Sequence, residues 1–221
     1  MCSWVQARFP RTHYTVGVTE SLPPGEDRPS LRTDQVAQTR AALVAAARHL
    51  FGRDGFAATS VDEIAREARL TTGALYHHFP NKTALFEAVF EAVHIDLLEA
   101  SLQASIGATD EVELLTRGFD AFFDAVLEPD VQRIIILDAP AVLGLARFTE
   151  LDEQYAFAAI TEALRLATTS GRLRVDDPET LARLLLGSMT RGAMLIANSD
   201  QPRETRDAVA RTLRALLEGM T

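Results

Sequence analysis

Between Thr59 and Lys82 the sequence reads T-S-V-D-E-I-A-R-E-A-R-L-T-T-G-A-L-Y-H-H-F-P-N-K. Small and hydrogen-bonding side chains recur there at helical spacing. Thr71, Thr72, Gly73, Ala74 and His77 can share an outward surface, while Leu75 and Phe79 face inward. Such a surface suits the major groove of DNA. Thr72 can hydrogen-bond a base edge, and Ala74 or a threonine methyl can meet a thymine methyl. Gly73 lets the backbone approach closely. Tyr76 and His78 sit where a phenol and an imidazole can reach phosphate oxygens, although Tyr76 can equally be a packing residue. Lys82 begins the next helix, where its ammonium and free N–H groups can hold another phosphate. Thr59 and Ser60 precede an earlier helix whose N-terminus can face the same backbone. His77 and His78 are adjacent, so a helix points them about 100° apart. A shared metal site is therefore not expected, and neither is a cofactor.

Three elements must position these groups. Val36, Leu43, Ala47, Leu50 and Phe51 mark one face of a first helix beginning near Asp34 and stopped by Gly55. Ser60 and Glu63 make an S-x-x-E capping box for a second helix, in which Val61, Ile64, Ala65 and Ala68 form a narrow apolar face. After a break at Arg69 and Leu70, Thr71 caps a third helix that runs to Phe79 and ends at Pro80. Two short helices joined by so tight a turn make a helix-turn-helix unit. Asn81 caps a long fourth helix carrying Leu85, Phe86, Val89, Phe90 and Val93.

The charge distribution agrees with this placement. The 221 residues carry a formal charge of −9, which by itself argues weakly against DNA. Residues 31–90, however, hold seven Lys and Arg against six Asp and Glu, while residues 91–221 hold twelve against twenty-two. Nearly all the acidity thus sits in the C-terminal part. A nearly neutral reader needs dimerisation or well-placed phosphate contacts to hold DNA. The hydrophobic content of 47% is ample for a sizeable core. Cys2 is the only cysteine, which excludes a disulfide framework within one chain and suits a reducing compartment. Neither a membrane-spanning run nor the apolar core of a signal peptide is visible. Cytoplasmic residence without membrane attachment is the expectation.

Residues 1–30 are rich in Pro and Gly and lack a defensible period. They read as a flexible arm, with Trp4, Phe9 and Tyr14 as residues that can dock, or as the product of an overcalled translation start. Beyond the fourth helix, further helices are expected near 110–127, 129–144, 147–170, 178–198 and 202–218, punctuated by Gly107, Pro129, Gly144, Gly171, Pro178 and Pro202. The fold class is therefore all-α. The domain reading is an arm over 1–30, a three-helix helix-turn-helix domain over 31–80 and a helical domain over 81–221.

The stretch from Thr59 to Phe86, extended back to Arg40 through an alanine-rich helix and Leu50-Phe51, resembles the DNA-binding domain of tetracycline-repressor (TetR/AcrR) family regulators. That resemblance covers about a quarter of the chain. It implies a homodimeric repressor that binds a palindromic operator in double-stranded DNA, and a C-terminal domain that binds a small-molecule effector and releases the DNA. Matching positions nominate Ser60, Thr71, Thr72, Gly73, Ala74, Tyr76, His77, His78 and Lys82 for DNA contact. One departure stands out: the family usually has Gly where this chain has Arg69. A left-handed backbone costs a non-glycine residue on the order of 1 kcal/mol. Either Arg69 tolerates it and adds a phosphate contact, or the turn differs slightly. Residues 137–144, L-D-A-P-A-V-L-G, and the F-T-E-L-D-E that begins at Phe148 resemble a subgroup of the family without fixing a ligand.

In such a ligand-gated domain some aromatic residues should line a cavity. The candidates are Phe86, Phe90, Phe119, Phe122, Phe123, Phe148, Tyr155 and Phe157, although plain core is the ordinary role of aromatics at helical spacing. His94, Arg117, Asp138 and Arg147 are candidates to orient a ligand, with salt bridging as the alternative. For the dimer, Leu181, Leu184, Leu185, Ser188, Gly192 and Leu195 on one helix and Val209, Leu213, Leu216 and Leu217 on the next can pack across a two-fold axis as a four-helix bundle. The alternative is that both stripes face the subunit's own core. A dimer also sets two recognition helices about 34 Å apart, one turn of DNA. Two rival classes stand beside this reading. An enzyme would need an acid, base or nucleophile set, yet H-E-x-x-H, C-x-x-C, P-loop and G-x-S-x-G patterns are all missing. An architectural DNA-binding protein would have a fully packed C-terminal core.

Overall fold

Alanine and large apolar residues at i, i+3, i+4, i+7 and i+8 give the first helix a single buried stripe. In the computed structural model, which describes residues 31–220 with side chains from Thr33 onward, this helix, α1, spans Leu31–Asp54. The arm expected over residues 1–30 lies outside the described residues. Leu43, Ala46, Ala47, Leu50 and Phe51 make the buried stripe, whereas Val36, expected on it, is exposed. Gly55 ends the helix at φ 86°, its N–H donating to the Phe51 carbonyl at 2.9 Å.

Helices α2 (Val61–Glu67) and α3 (Thr72–His78) follow. The capping box forms as the sequence predicts. Ser60 Oγ accepts from the Glu63 N–H at 3.2 Å, and the Ser60 N–H donates to the Glu63 carboxylate at 2.8 Å. The Ser60 N–H and the Ser60 hydroxyl, which donates to the same carboxylate at 2.7 Å, hold the Glu63 carboxyl below its usual range. The turn between the helices closes with Leu70 N–H on the Ala65 carbonyl at 2.8 Å and Arg69 N–H on the Arg66 carbonyl at 3.0 Å. This paired pattern demands a left-handed backbone at its first donor, the residue just past the helix cap. Arg69 supplies it at φ 57°, the one non-glycine residue with positive φ among the described residues. Leu75 and Phe79 are buried, tying α3 to its support.

Asn81 caps α4 (Lys82–Ala104), accepting from the Ala84 N–H at 2.8 Å. Then come α5 (Glu111–Ala125), α6 (residues 129–143), α7 (Leu145–Thr169), α8 (Pro178–Ala197) and α9 (Pro202–Glu218). Among the described residues there is no strand, and no helix is long and apolar enough to cross a membrane. The expected helix near 129–144 is present, but its middle, Gln132–Asp138, adopts wider π turns. Three consecutive isoleucines, Ile134, Ile135 and Ile136, are buried there.

From Thr39 onward the described residues form one compact unit. The rings of Phe51, Phe56 and Phe86 meet pairwise with centroids 5.6, 5.4 and 5.3 Å apart, joining α1, the loop after it and α4. Gly192 of α8 lies where an added Cβ would stand 2.6 Å from Val209 Cγ1 and 3.1 Å from Phe123 Cε1, so α5, α8 and α9 close together at that point. Arg214 and Arg206 of α9 pair with Asp120 of α5 at 2.6 and 3.4 Å, bracing the same contact from outside.

Candidate nucleic-acid interface and buried cavity

The outward surface of α3 carries most of the residues nominated for DNA. Thr71, Gly73 and His77 are exposed, Tyr76 is 52% exposed, and Thr72, Ala74 and His78 are half-buried. The His77 and His78 rings meet edge to face, 5.6 Å apart. A Cβ added at Gly73 would meet nothing closer than Thr71 Oγ1 at 3.9 Å. The fold therefore has room for alanine there, and glycine costs an exposed helix about 1 kcal/mol relative to it. Packing does not account for this glycine.

Two nominated hydroxyls are already engaged. Thr71 Oγ1 accepts from the Ala74 N–H at 3.1 Å and caps α3. Thr72 Oγ1 donates to Asp62 Oδ1 at 2.7 Å, so Asp62 of α2 fixes the start of α3 and leaves Thr72 only lone pairs for a base. Asp62 carries no sequence signal for this role, because the pairing spans the turn. Arg40 lies with its guanidinium 4.6 Å over the Phe79 ring, a further cation held beside the end of α3.

Two nominations need correcting. Thr59 is buried, and its hydroxyl donates to the Gly55 carbonyl at 2.8 Å, so its side chain locks the loop rather than facing outward. Lys82 turns inward: its ammonium donates to the carbonyls of Phe56 and Thr59 at 2.8 and 2.9 Å and lies 4.2 Å from the Phe56 ring centroid. An ammonium has three protons, so a single donor is left for any phosphate. Ser60 and Arg69 remain exposed at the two ends of α2.

The helical domain holds a partly open cavity of about 110 Å³ among α4, α5, α7 and α8. Four of the nominated ligand residues line it: His94, Phe119, Phe122 and Tyr155. Phe86, Phe90, Phe123, Asp138 and Phe148 do not. Phe86 belongs to the ring cluster on α1. Phe90 backs His94 at 4.1 Å and meets Phe148 at 5.8 Å, while Phe123 closes against Gly192. Asp138 accepts the Phe56 N–H at 2.7 Å, a bond from α6 to the loop after α1. Arg147 is engaged with Glu87 and Glu150 in salt bridges, the alternative weighed for it.

Aliphatic residues of α4 and α5, such as Leu97, Leu102 and Leu115, supply most of the cavity wall. They carry no sequence signal for this role, because leucine is indistinguishable from core by spacing alone. The polar end is more specific. His94 is buried, with Nδ1 3.1 Å from the Phe90 carbonyl and Nε2 3.3 Å from Asp152 Oδ1. The Tyr155 ring lies 5.6 Å from that of His94, and burial together with the nearby Glu91 charge pushes its phenol pKa up.

The stripes on α8 and α9 divide. Leu185, Gly192, Leu213 and Leu217 are buried in the subunit's own core, so for them the alternative reading holds. Leu184 (63% exposed), Leu195, Leu216 and Ser188 stay exposed, Val209 and Leu181 are half-buried, and all but Leu181 line an open groove between the two helices.

Comparison with known proteins bears on both sites. Residues 43–89 match the family described as bacterial regulatory proteins, tetR family, and residues 112–220 match the tetracyclin repressor-like C-terminal domain. A crystal structure of a tetR-family transcriptional regulator from Pectobacterium atrosepticum superposes with a TM-score of 0.76 at 33% identity, covering 85% of this chain and 96% of that one. The transcriptional activator FasR of Mycolicibacterium smegmatis is 29% identical over 91% of each chain. The transcriptional repressor AcnR of Corynebacterium jeikeium is 27% identical over 71% of this chain and 80% of its own.

Proposed function

Because the chain belongs to the tetR family of bacterial regulatory proteins, it is a DNA-binding transcriptional regulator rather than an enzyme, and we propose that it acts as a homodimeric repressor. In this reading residues 31–80 read DNA, residues 81–221 bind effector and dimerise, and the operator is a palindrome. The observation that carries it is the outward surface of α3, where an exposed Gly73 with no packing role is flanked by Tyr76 and His77. Thr72, Ala74 and His77 face bases, while Ser60, Arg69, Tyr76, His78 and the remaining Lys82 proton meet phosphates. Leu184, Leu195 and Leu216 pair with their symmetry mates across the groove between α8 and α9.

The cavity supports effector control. A ligand shifts the equilibrium only by binding the released state better. The likeness to AcnR favours repression, and the likeness to FasR supports activation as the second reading. Mobility shift on DNA flanking the gene should give a salt-sensitive complex with a two-fold symmetric footprint. A promoter fusion in cells lacking the protein should then rise for a repressor and fall for an activator. Absence of any specific complex would sink the DNA reading. A solution mass of one 24.2 kDa chain would sink the dimer.

A further inference from the structure

The cavity's polar groups are few, and most are engaged by the protein itself. Ser101 Oγ donates to the Gly118 carbonyl at 3.2 Å, Ser105 Oγ to the Ser101 carbonyl at 2.8 Å, and Thr190 Oγ1 to the Leu186 carbonyl at 3.1 Å. Both nitrogens of His94 face acceptors. What remains is one end of the cavity, where the Asp152 carboxylate keeps acceptor capacity and the Tyr155 phenol has no hydrogen-bond partner among the described residues. The phenol O–H is therefore free to donate to a ligand. No Lys or Arg lines the cavity.

Each class of ligand head group meets this end differently. An anion would be desolvated beside the Asp152 carboxylate, where His94 already directs both ring nitrogens at Phe90 and Asp152 and no Lys or Arg is at hand, which is unfavourable. An ether can accept from Tyr155 but leaves Asp152 unanswered. A hydroxyl can donate to Asp152 and accept from Tyr155 at once. The apolar wall and the volume limit the remainder. A dry cavity of about 150 Å³ admits benzene, so about 110 Å³ suits one ring with small substituents after modest adjustment of the walls.

We propose that the ligand of this cavity is a small, uncharged, single-ring molecule whose hydroxyl bridges Asp152 and Tyr155, and that carboxylates are excluded. The inference rests on reading the cavity as the effector site. Direct binding tests the chemistry separately from regulation. Calorimetry on the full chain would compare 4-ethylphenol, 4-ethylanisole and 4-ethylbenzoate. The phenol should bind, the ether should bind at least tenfold more weakly for loss of a hydrogen bond to a charged group, and the benzoate should give no saturation. Asp152→Asn, which keeps the shape, should weaken the phenol about tenfold and bring the benzoate within reach. Ala159→Phe, which fills the cavity, should abolish phenol binding while leaving the mobility shift intact, a check that the variants fold. Equal binding of all three compounds, tighter binding of the benzoate, or no binding of any would overturn the proposal. Phenol binding that leaves the DNA complex untouched would overturn the effector reading and leave the ligand chemistry standing.

Discussion

The backbone N–H of Phe56 donates to the carboxylate of Asp138 at 2.7 Å, joining the loop after the first helix to the π-turn segment of α6. Around this bond Gly52 and Gly55 leave no spare room: a Cβ at Gly52 would fall 2.6 Å from Asp130 Cβ, and one at Gly55 would fall 3.0 Å from Arg133 Nη1. Arg48 adds ion pairs to Asp96 and Asp130. Helix α1 and the loop after it are thus seated on α6, which itself packs against α4, α7 and α8.

Asp138→Ala should therefore destabilise the protein by about 1.5–3 kcal/mol, the range for a hydrogen bond to a charged group. Asp138→Asn, which keeps an acceptor, should recover part of that loss. Urea denaturation of both variants measures the difference. A midpoint unchanged in Asp138→Ala would mean the bond is idle.

Arg69→Gly should stabilise the fold by about 1 kcal/mol, because glycine adopts φ 57° without a Cβ penalty. Arg69→Ala should not, since it keeps the Cβ. If Arg69 meets a phosphate, both variants should lower the slope of log K against log salt by about one contact. Thermal melts and salt-titrated mobility shifts separate the two effects.

Gly73→Ala offers the opposite trade. Open space at this position and the helix propensity of alanine predict a gain of about 0.5–1 kcal/mol in stability. The added methyl on the outward surface should weaken operator binding. A variant that is both more stable and tighter on DNA would remove Gly73 from the interface.

Gly192→Ala and Gly187→Ala contrast buried and open positions on one helix. The first sets a Cβ against Val209 and Phe123, and should cost on the order of 1–3 kcal/mol. The second meets nothing within 4 Å and should leave monomer stability unchanged or slightly raised. Leu184→Glu and Leu216→Glu, on the exposed side, should dissociate the proposed dimer in light scattering without lowering helix content.

Glu113 gives a prediction in acid. Hydrogen bonds from the Thr109 hydroxyl and N–H, with the Arg117 guanidinium, lower its pKa to about 2 from an ordinary 4.5. A lowered carboxylate pKa contributes stability that is full above the unfolded value and is lost as pH falls through the folded one. Melting temperature should therefore decline between pH 4.5 and about 2, and Glu113→Gln should make that decline shallower. An identical acid profile in the variant would discount the cluster.

The local chemistry of the chain was legible in the sequence because it acts over a few residues. The Ser60–Glu63 capping box, the Thr71 and Asn81 caps, the stop at Gly55 and the α-helical period all depend on neighbours within about one turn. They define an all-α chain with a helix-turn-helix. Even the anomaly at Arg69 was visible as a missing glycine. Tertiary packing decided which member of a chemically equivalent set does what. Thr59 and Ser60 both look like cap-region hydroxyls, yet only one is buried. Lys82 turns inward because two carbonyls and a ring from the loop after α1 converge on it. Phe119 and Phe122 reach a cavity while Phe86 and Phe123 do not, and Leu184 is exposed where Leu185 is core. Helical periodicity fixes the angle of a side chain about its own axis; only the approach of the other helices determines whether that angle meets protein, a cavity or solvent.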